Sequence, residues 1–439
     1  MGWVILIYLI ELFINIYRIM KISIHRIIFP FCIGFFLFFP GKSIISGQDH
    51  EKLNFKFSDY FFENGSPVAW SNLGDSVLRV TLFADYERES PNRQTDHWHF
   101  RLVADSGTHV RLVLSKMQAD VYNGQLATDW WNFENDISCY LSYDQKRWEP
   151  IKTSGLPDHE LLVDFIMARN YVYIARLPAY TITDLENLKT RYEVNSLFKI
   201  INIGSTIEKR PLEIIRLGNP DATYSVIIRA RAHPWEPGGS WVVEGLINKF
   251  ITENSDKWKK TFCVYIMPMA NKDGVARGMT RFNAAGMDLN RKWDKMADPE
   301  LCPEKYALEK FIEGLLKNGI RPSLGIDIHN DDAGGINLAT HRRDDTLFIK
   351  KMQFFEKLMR EKTSFSEEVQ YSWVTPGQQE SFVLFENGLY RRYGIEAIVY
   401  ELNANWISSL GRIPAQYDWM NIGASLNEIF YQFLKGTAE

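Results

Sequence analysis

His233-Pro234-Trp235-Glu236 places an imidazole and a carboxylate three residues apart, and a further histidine, His329, follows much later in the chain. A hydrolytic zinc site takes imidazole nitrogen and carboxylate oxygen from three protein groups and leaves a fourth position for water. Two histidines and one glutamate would fill those three places. Taken alone, the four-residue pattern reads equally as a surface loop, because any histidine three residues before a glutamate matches it.

The flanking residues say what would hold these groups. Ser225 to Ala232 is a short apolar, β-branched run, so His233 falls at the carboxyl end of a predicted strand, where α/β sheets place their ligands. Pro237-Gly238-Gly239 breaks the chain, and Ser240 to Ile247 resumes with helical spacing. The pair therefore sits on a strand-to-helix loop. Pro322 to Asp332 reads as a second strand ending in a polar turn, which carries His329 to the same end of the sheet. A satisfied core histidine is the competing reading.

A second constellation lies between them. Val264 to Gly274 is a strand running into an Asp-Gly turn, and it leads to a loop that contains Arg281, Asp288, Asn290, Arg291 and Trp293. Two arginines and an asparagine in such a loop can grip a carboxylate through charge-assisted, partly bidentate hydrogen bonds, or they are an ordinary charged loop. Gly394 to Leu402 puts Glu401 at the end of another strand. A half-buried carboxylate there can have its basicity tuned for proton transfer, although alone it reads as a surface or paired group.

In their order these motifs resemble the zinc metallocarboxypeptidases, the carboxypeptidase A superfamily. They run His-x-x-Glu, Asn-x-Asp-Gly (Asn271 to Gly274), Gly-x-Asp-x-Asn-Arg-x-Trp (Gly286 to Trp293), a strand-borne His and a strand-borne Glu. The resemblance covers the chain from Asp184 to Phe433. It implies that His233, Glu236 and His329 bind one zinc ion. It implies further that Arg281, Asn290 and Arg291 hold the terminal carboxylate of a peptide substrate, with Arg281 also stabilising the developing oxyanion. Glu401 would be the general base and acid, and Asp288 the carboxylate that orients a zinc-bound imidazole. The pancreatic-type enzymes carry a mobile tyrosine before the catalytic Glu; the corresponding stretch, 375–381, has none, and neither Tyr371 nor Tyr390 matches by spacing. Arg391 and Arg392 allow an acidic-side-chain pocket or a solvated helix face.

The chain has 439 residues, more than one typical domain, and 46% hydrophobic and 14% aromatic content provides for packed cores. Its net charge of −4, with no basic stripe, argues against nucleic acid as a partner. Residues 48–180 read as an antiparallel β-sandwich. Leu78 to Leu82, His97 to Val103 and Val110 to Leu114 alternate with period two, with turn signals at Asp105-Ser106-Gly107 and Asn123-Gly124. Trp98 to Leu102 and Tyr171 to Thr181 resemble the small β-domain of cytosolic-type carboxypeptidases. His97 and His99 share a strand and have no third ligand in evidence, so plain strand-face residues are the better reading. Thr183-Asp184-Leu185-Glu186 has the form of a capping box that opens the second domain, 181–439. There, strands alternate with helices such as Glu304 to Lys317 and Leu347 to Glu361. The fold class is therefore α/β, a mostly parallel or mixed sheet with helices on both faces, preceded by the sandwich.

Residues 1–47 form a signal-peptide region. Met20 to Arg26 is a basic lead into an apolar run from Ile27 to Phe39, followed by small and polar residues, which makes Met20 the expected start of translation. Export to a periplasmic or extracellular space is the expectation, with no stable membrane partner unless the two apolar N-terminal runs are retained as an anchor. Cys32 falls in the signal-peptide region, and the remaining Cys139, Cys263 and Cys302 are odd in number and imply no complete disulfide framework. The leading functional reading is a zinc carboxypeptidase acting on peptides with a free C-terminal carboxylate. The rivals are a zinc amidohydrolase or deacylase of small N-acyl amino acids and a non-catalytic peptide- or cell-wall-binding protein on the same scaffold.

Overall fold

The computed structural model describes residues 55–74, 77–88, 90, 92–116, 120–122, 124–127, 137–340, 346–367, 369–373 and 383–436. Contacts divide the chain into Met1–Lys52 and Leu53–Glu439. The expected signal region and the stretch 375–381 lie outside the described residues, and no helix among those described is long and apolar enough to cross a membrane.

The first part of the larger unit is built from β1 (Phe55–Asp59), β2 (Val68–Gly74), β3 (Val77–Leu82), β4 (His99–Ala104), β5 (His109–Lys116), β6 (Asp120–Tyr122), β7 (Gln125–Ala127), β8 (Cys139–Ser142), β9 (Glu149–Ile151), β10 (Thr153–Leu156), β11 (Glu160–Ile166) and β12 (Tyr171–Ala175). Two sheets, ordered β1-β4-β12-β8-β9 and β10-β11-β5-β3-β2, share one core, and β6 and β7 form a separate ribbon. Period-two alternation is why they pack: Leu78, Val80 and Leu82 of β3 are buried, as are Phe100, Leu102 and Ala104 of β4. The expected antiparallel sandwich needs one correction. β3 runs parallel to β5, with Val77 opposite Arg111. Alternation sorts side chains to two faces and carries no information on strand direction.

The second part is an eight-stranded mixed sheet. Its strands are β13 (Phe198–Ser205), β14 (Pro211–Leu217), β15 (Tyr224–Ala230), β16 (Phe262–Met267), β17 (Leu324–Asp331), β18 (Gly335–Thr340), β19 (Val369–Trp373) and β20 (Ala397–Asn403), in the spatial order β13-β14-β16-β15-β17-β20-β18-β19. The central strands β16, β15, β17 and β20 are mutually parallel and buried on both faces, which is why they read as continuous apolar runs rather than alternating ones. One face is covered by helices Gly238–Glu253, Thr346–Lys362 and Gln416–Gly436, and the other by Pro303–Lys317 and Phe385–Tyr393. The first and last members of the larger group touch backbone to backbone: a Cβ on Gly245 would lie 1.9 Å from the Met420 carbonyl oxygen, and one on Gly423 equally close to that of Val242.

Helix Ile182–Tyr192 opens this part, with its capping box two residues earlier than expected. Thr181 Oγ1 accepts from Asp184 N at 3.2 Å, and Asp184 Oδ2 accepts from Thr181 N at 2.7 Å. Thr183 and Glu186 repeat the same spacing, so residue type alone does not choose between the two frames.

Candidate metal and catalytic site

The site forms where β15, β17 and β20 end. His233 lies on the loop after β15; Arg231, at φ 60°, turns the chain out of the strand, and its Nε donates to Pro234 O at 2.7 Å. Beyond Glu236 the helix begins against β17. Gly238 N donates to Asn330 Oδ1 at 2.8 Å, and a Cβ there would come within 2.5 Å of that oxygen. Only glycine lets the helix start so close, and that closeness brings Glu236 beneath the two histidines. His329 and Glu401 are partners in register on the adjacent parallel strands β17 and β20.

His233, Glu236 and His329 are buried and offer ligand atoms within 4.8 Å of one another, the one such group among the described residues. His233 Nδ1 and His329 Nδ1 each lie 2.7 Å from an oxygen of Glu236. The opposite ring nitrogens are also held: His233 Nε2 is 3.2 Å from Asp288 Oδ1, and His329 Nε2 is 2.6 Å from Asp327 Oδ2. The donor set fits zinc. Two imidazole nitrogens and a carboxylate converge, and each imidazole is oriented from behind by a second carboxylate. Burial pushes the Glu236 carboxyl up, but His233 and His329 pull it further down, to about 2.

The second constellation surrounds this group. Asp288 accepts from Arg281 Nε at 2.8 Å and from Asn290 N at 2.9 Å, so one carboxylate joins the His233 ring to the arginine loop. Arg281 Nη1 donates to Gln94 Oε1 at 2.7 Å. Arg291 Nη1 donates to Asn290 O at 2.9 Å, while its Nε is shielded and has no partner among the described residues. The Asn290 amide is already engaged: Oδ1 accepts from Arg229 Nη2 at 2.9 Å and Phe385 N at 3.1 Å, and Nδ2 lies 3.3 Å from His329 Nε2. Glu401 Oε2 is shielded and has no partner among the described residues. Burial raises the Glu401 carboxyl well above its ordinary range, against the pull of His329 and with the push of Asp331, Glu236 and Asp327.

Several groups here were not singled out from sequence. Asp327 shares a strand face with His329, two residues away, a period-two relation that could have flagged it. Arg229 grips Asp327 through Nε at 2.7 Å and through Nη2, and lies 4.9 Å from the Trp293 ring and 4.6 Å from the Phe385 ring. Glu386 is buried with Oε2 unpartnered, and its carboxyl is pushed up to about 7, by burial first. Gln94 and Tyr122, which is within electrostatic reach of Arg291, come from the sandwich, and no local pattern points to them.

Other candidates fall elsewhere. His97 and His99 are buried, with His99 Nδ1 3.1 Å from Asn64 Oδ1, and no metal-binding group among the described residues includes them. Arg391 is exposed on its helix, and Arg392 pairs with Glu309, so they form no pocket at the site. Tyr390 lines a cleft of about 330 Å³ with Tyr224, Ser323 and Glu396, at the opposite ends of the strands. Cys139, Cys263 and Cys302 are free and buried.

The chain is similar to several known proteins. Residues 182–314 match the zinc carboxypeptidase family, Peptidase_M14. The chain is 26% identical over 282 residues to an uncharacterised protein of Zymomonas mobilis, covering 61% of this chain and 70% of that one. It is 31% identical over 280 residues to cytosolic carboxypeptidase 3 of Bos taurus, covering 58% of this chain; it spans only 27% of the length of that relative. Among solved structures, a metallo-carboxypeptidase from Burkholderia cenocepacia superimposes with a TM-score of 0.71 at 20% identity, over 87% of this chain and 99% of that one. One from Pseudomonas aeruginosa, in complex with (2-guanidinoethylmercapto)succinic acid, gives 0.71 at 20% identity, over 87% and 100%. The β-sandwich is thus part of the fold shared with these structures, and the stretch 182–314 is similar to the zinc carboxypeptidase family, Peptidase_M14.

Proposed function

We propose that the protein is a zinc-dependent carboxypeptidase that hydrolyses C-terminal residues from peptides. The observation that carries this reading is the buried His233-Glu236-His329 group with Glu401 in register beside His329 and Arg281 tied to the carboxylate behind His233. His233, Glu236 and His329 would hold one zinc ion, which when bound supplies Lewis acidity and lowers the pKa of a water towards ~7. Glu401, with an oxygen free of partners, takes a proton at its carboxylate and returns it to the leaving amine. Arg291, with an unpartnered Nε, and Arg281 receive the substrate's terminal carboxylate; Arg281 is also the donor for the developing oxyanion. Asn290 stands on the same turn, and its amide braces Arg229 and the His329 ring.

The amidohydrolase rival would use the same ligands and the same arginines. The presence of the sandwich, whose Gln94 reaches Arg281, favours the peptidase reading. A binding protein without catalysis would have no use for Glu401 beside an intact ligand set. The basic lead and apolar run after Met20 support export to the periplasm or the medium, and N-terminal sequencing of secreted protein tests this; a mature start far from Gly47 overturns it.

The zinc-loaded chain should cleave blocked dipeptides in preference to N-acetyl or N-succinyl amino acids. Glu401→Gln should retain zinc and lose about 10²- to 10⁴-fold in turnover, and Arg281→Ala should lose about 10²- to 10³-fold. Preference for N-acyl amino acids would establish the amidohydrolase. No hydrolysis by the parent would leave only the binding protein, and hydrolysis that Glu401→Gln leaves intact would remove Glu401 from the general-base role.

A further inference from the structure

We infer that the β-sandwich completes the active site by fixing Arg281, with Gln94 as the positioning residue. This rests on the carboxypeptidase reading and gives the sandwich a role in it.

Arg281 is held at its root and at its tip by one short stretch of the sandwich. At the root, Asp85 accepts three successive backbone N–H groups, from Thr280, Arg281 and Phe282, at 2.9, 2.5 and 3.1 Å. At the tip, Nη1 donates to Gln94 Oε1 at 2.7 Å, while Nε donates to Asp288 on the catalytic side at 2.8 Å. Among the described residues Nη2 has no partner. Two of the three guanidinium nitrogens are tethered, and the third is left for a ligand. One contact at Nε would leave the guanidinium plane free to swing; the second fixes it.

The chemical type of Gln94 matters as much as its place. Asp288 already sets one negative charge against Arg281. An amide oxygen adds a tether without adding a second anion, so the guanidinium keeps its attraction for a carboxylate or an oxyanion. Gln94 is itself buried and well supported: the adjacent Arg93 exchanges backbone hydrogen bonds with Val121 of β6, N to O at 2.8 Å and O to N at 2.9 Å. The stretch that carries Gln94 is thus pinned to the ribbon on one side and to the arginine on the other.

The test compares the full-length, zinc-loaded parent with Gln94→Leu, Arg281→Ala and the double variant, and adds crystal structures of the parent and Gln94→Leu. Gln94→Leu fills similar volume and removes the acceptor. It should keep its zinc and lower kcat by about ten- to a hundredfold, the scale set by an ångström-sized misplacement, with a smaller change in KM. Added to Arg281→Ala it should cost nothing further, because the group it positions is gone. In the crystal its Arg281 guanidinium should have left the parent position. Losses that multiply in the double variant, or an Arg281 that stays in place without Gln94, would overturn the proposal. If the parent hydrolyses no peptide, the carboxypeptidase reading fails, and the crystal comparison alone decides the positioning claim.

Discussion

At the scale of single residues, each histidine of the triad is gripped on both sides, and the groups behind it matter as much as the ligands. The His329 ring has Glu236 at Nδ1 and Asp327 at Nε2, and Asp327 is in turn clamped by Arg229. Asp327 is fully buried. Burial raises its carboxyl, but Arg229 and His329 pull it down further, so it is ionised across the working range. An anion held there fixes the ring so that Nδ1 faces the metal position and strengthens that nitrogen as a ligand. Asp327→Asn should therefore weaken zinc binding by about 10- to 100-fold, read by competition with a chromogenic chelator. Zinc affinity equal to the parent's would show that ring orientation comes from packing alone.

Elements explain why the ligands were legible in sequence and their supports were not. His233, His329 and Glu401 end apolar strand runs, and a strand end is a local pattern. Gln94 and Arg281 are 187 residues apart, and nothing in either neighbourhood marks the partner. The capping box is ambiguous for a different reason, since two threonine–acid pairs share one spacing. The His97/His99 pair could be seen but not interpreted without its surroundings. Burial lowers both imidazoles from 6.5 to about 3, with Arg231 pressing His97 the same way and His97 pressing His99. Unfolded, each takes a proton near 6.5; folded, neither does until about 3. Acid between those values draws protons onto the unfolded chain, so stability from this pair is complete above 6.5 and is lost as pH falls, by about 1.4 kcal/mol per imidazole per pH unit. Carboxyls raised by burial, such as Glu304 at about 7, act in the opposite sense, so the test is a difference. Urea unfolding of His99→Gln should show a flatter acid limb than the parent's by about one proton. Equal slopes would mean that His99 protonates in the folded state.

For the whole molecule, the question is whether the sandwich is an appendage or part of one cooperative unit. The seam between it and the α/β part is built like an interior. Arg176, at the end of β12, donates through Nη1 to Ser138 O at 3.0 Å and through Nη2 to Asp332 and Asn405, each at 2.8 Å. Its guanidinium lies 5.7 Å from the Trp98 ring of the sandwich and 5.8 Å from the ring of Trp235, inside the zinc motif. Ser138 and Tyr140 add bonds to Ala404 O and Pro414 O. Arg176 is 2% exposed, so its charge is stabilised only by these partners, and the partners by it. Separating the two parts would strand several buried polar groups at once. Those shared bonds couple the two cores, so the parts should unfold together. Arg176→Met should lower stability by about 1–3 kcal/mol and shift hydrogen-exchange protection equally in peptides from β4 and from β17. Protection lost in the sandwich peptide alone would mean that the sandwich unfolds by itself, and that Arg281 is then held only from the catalytic side.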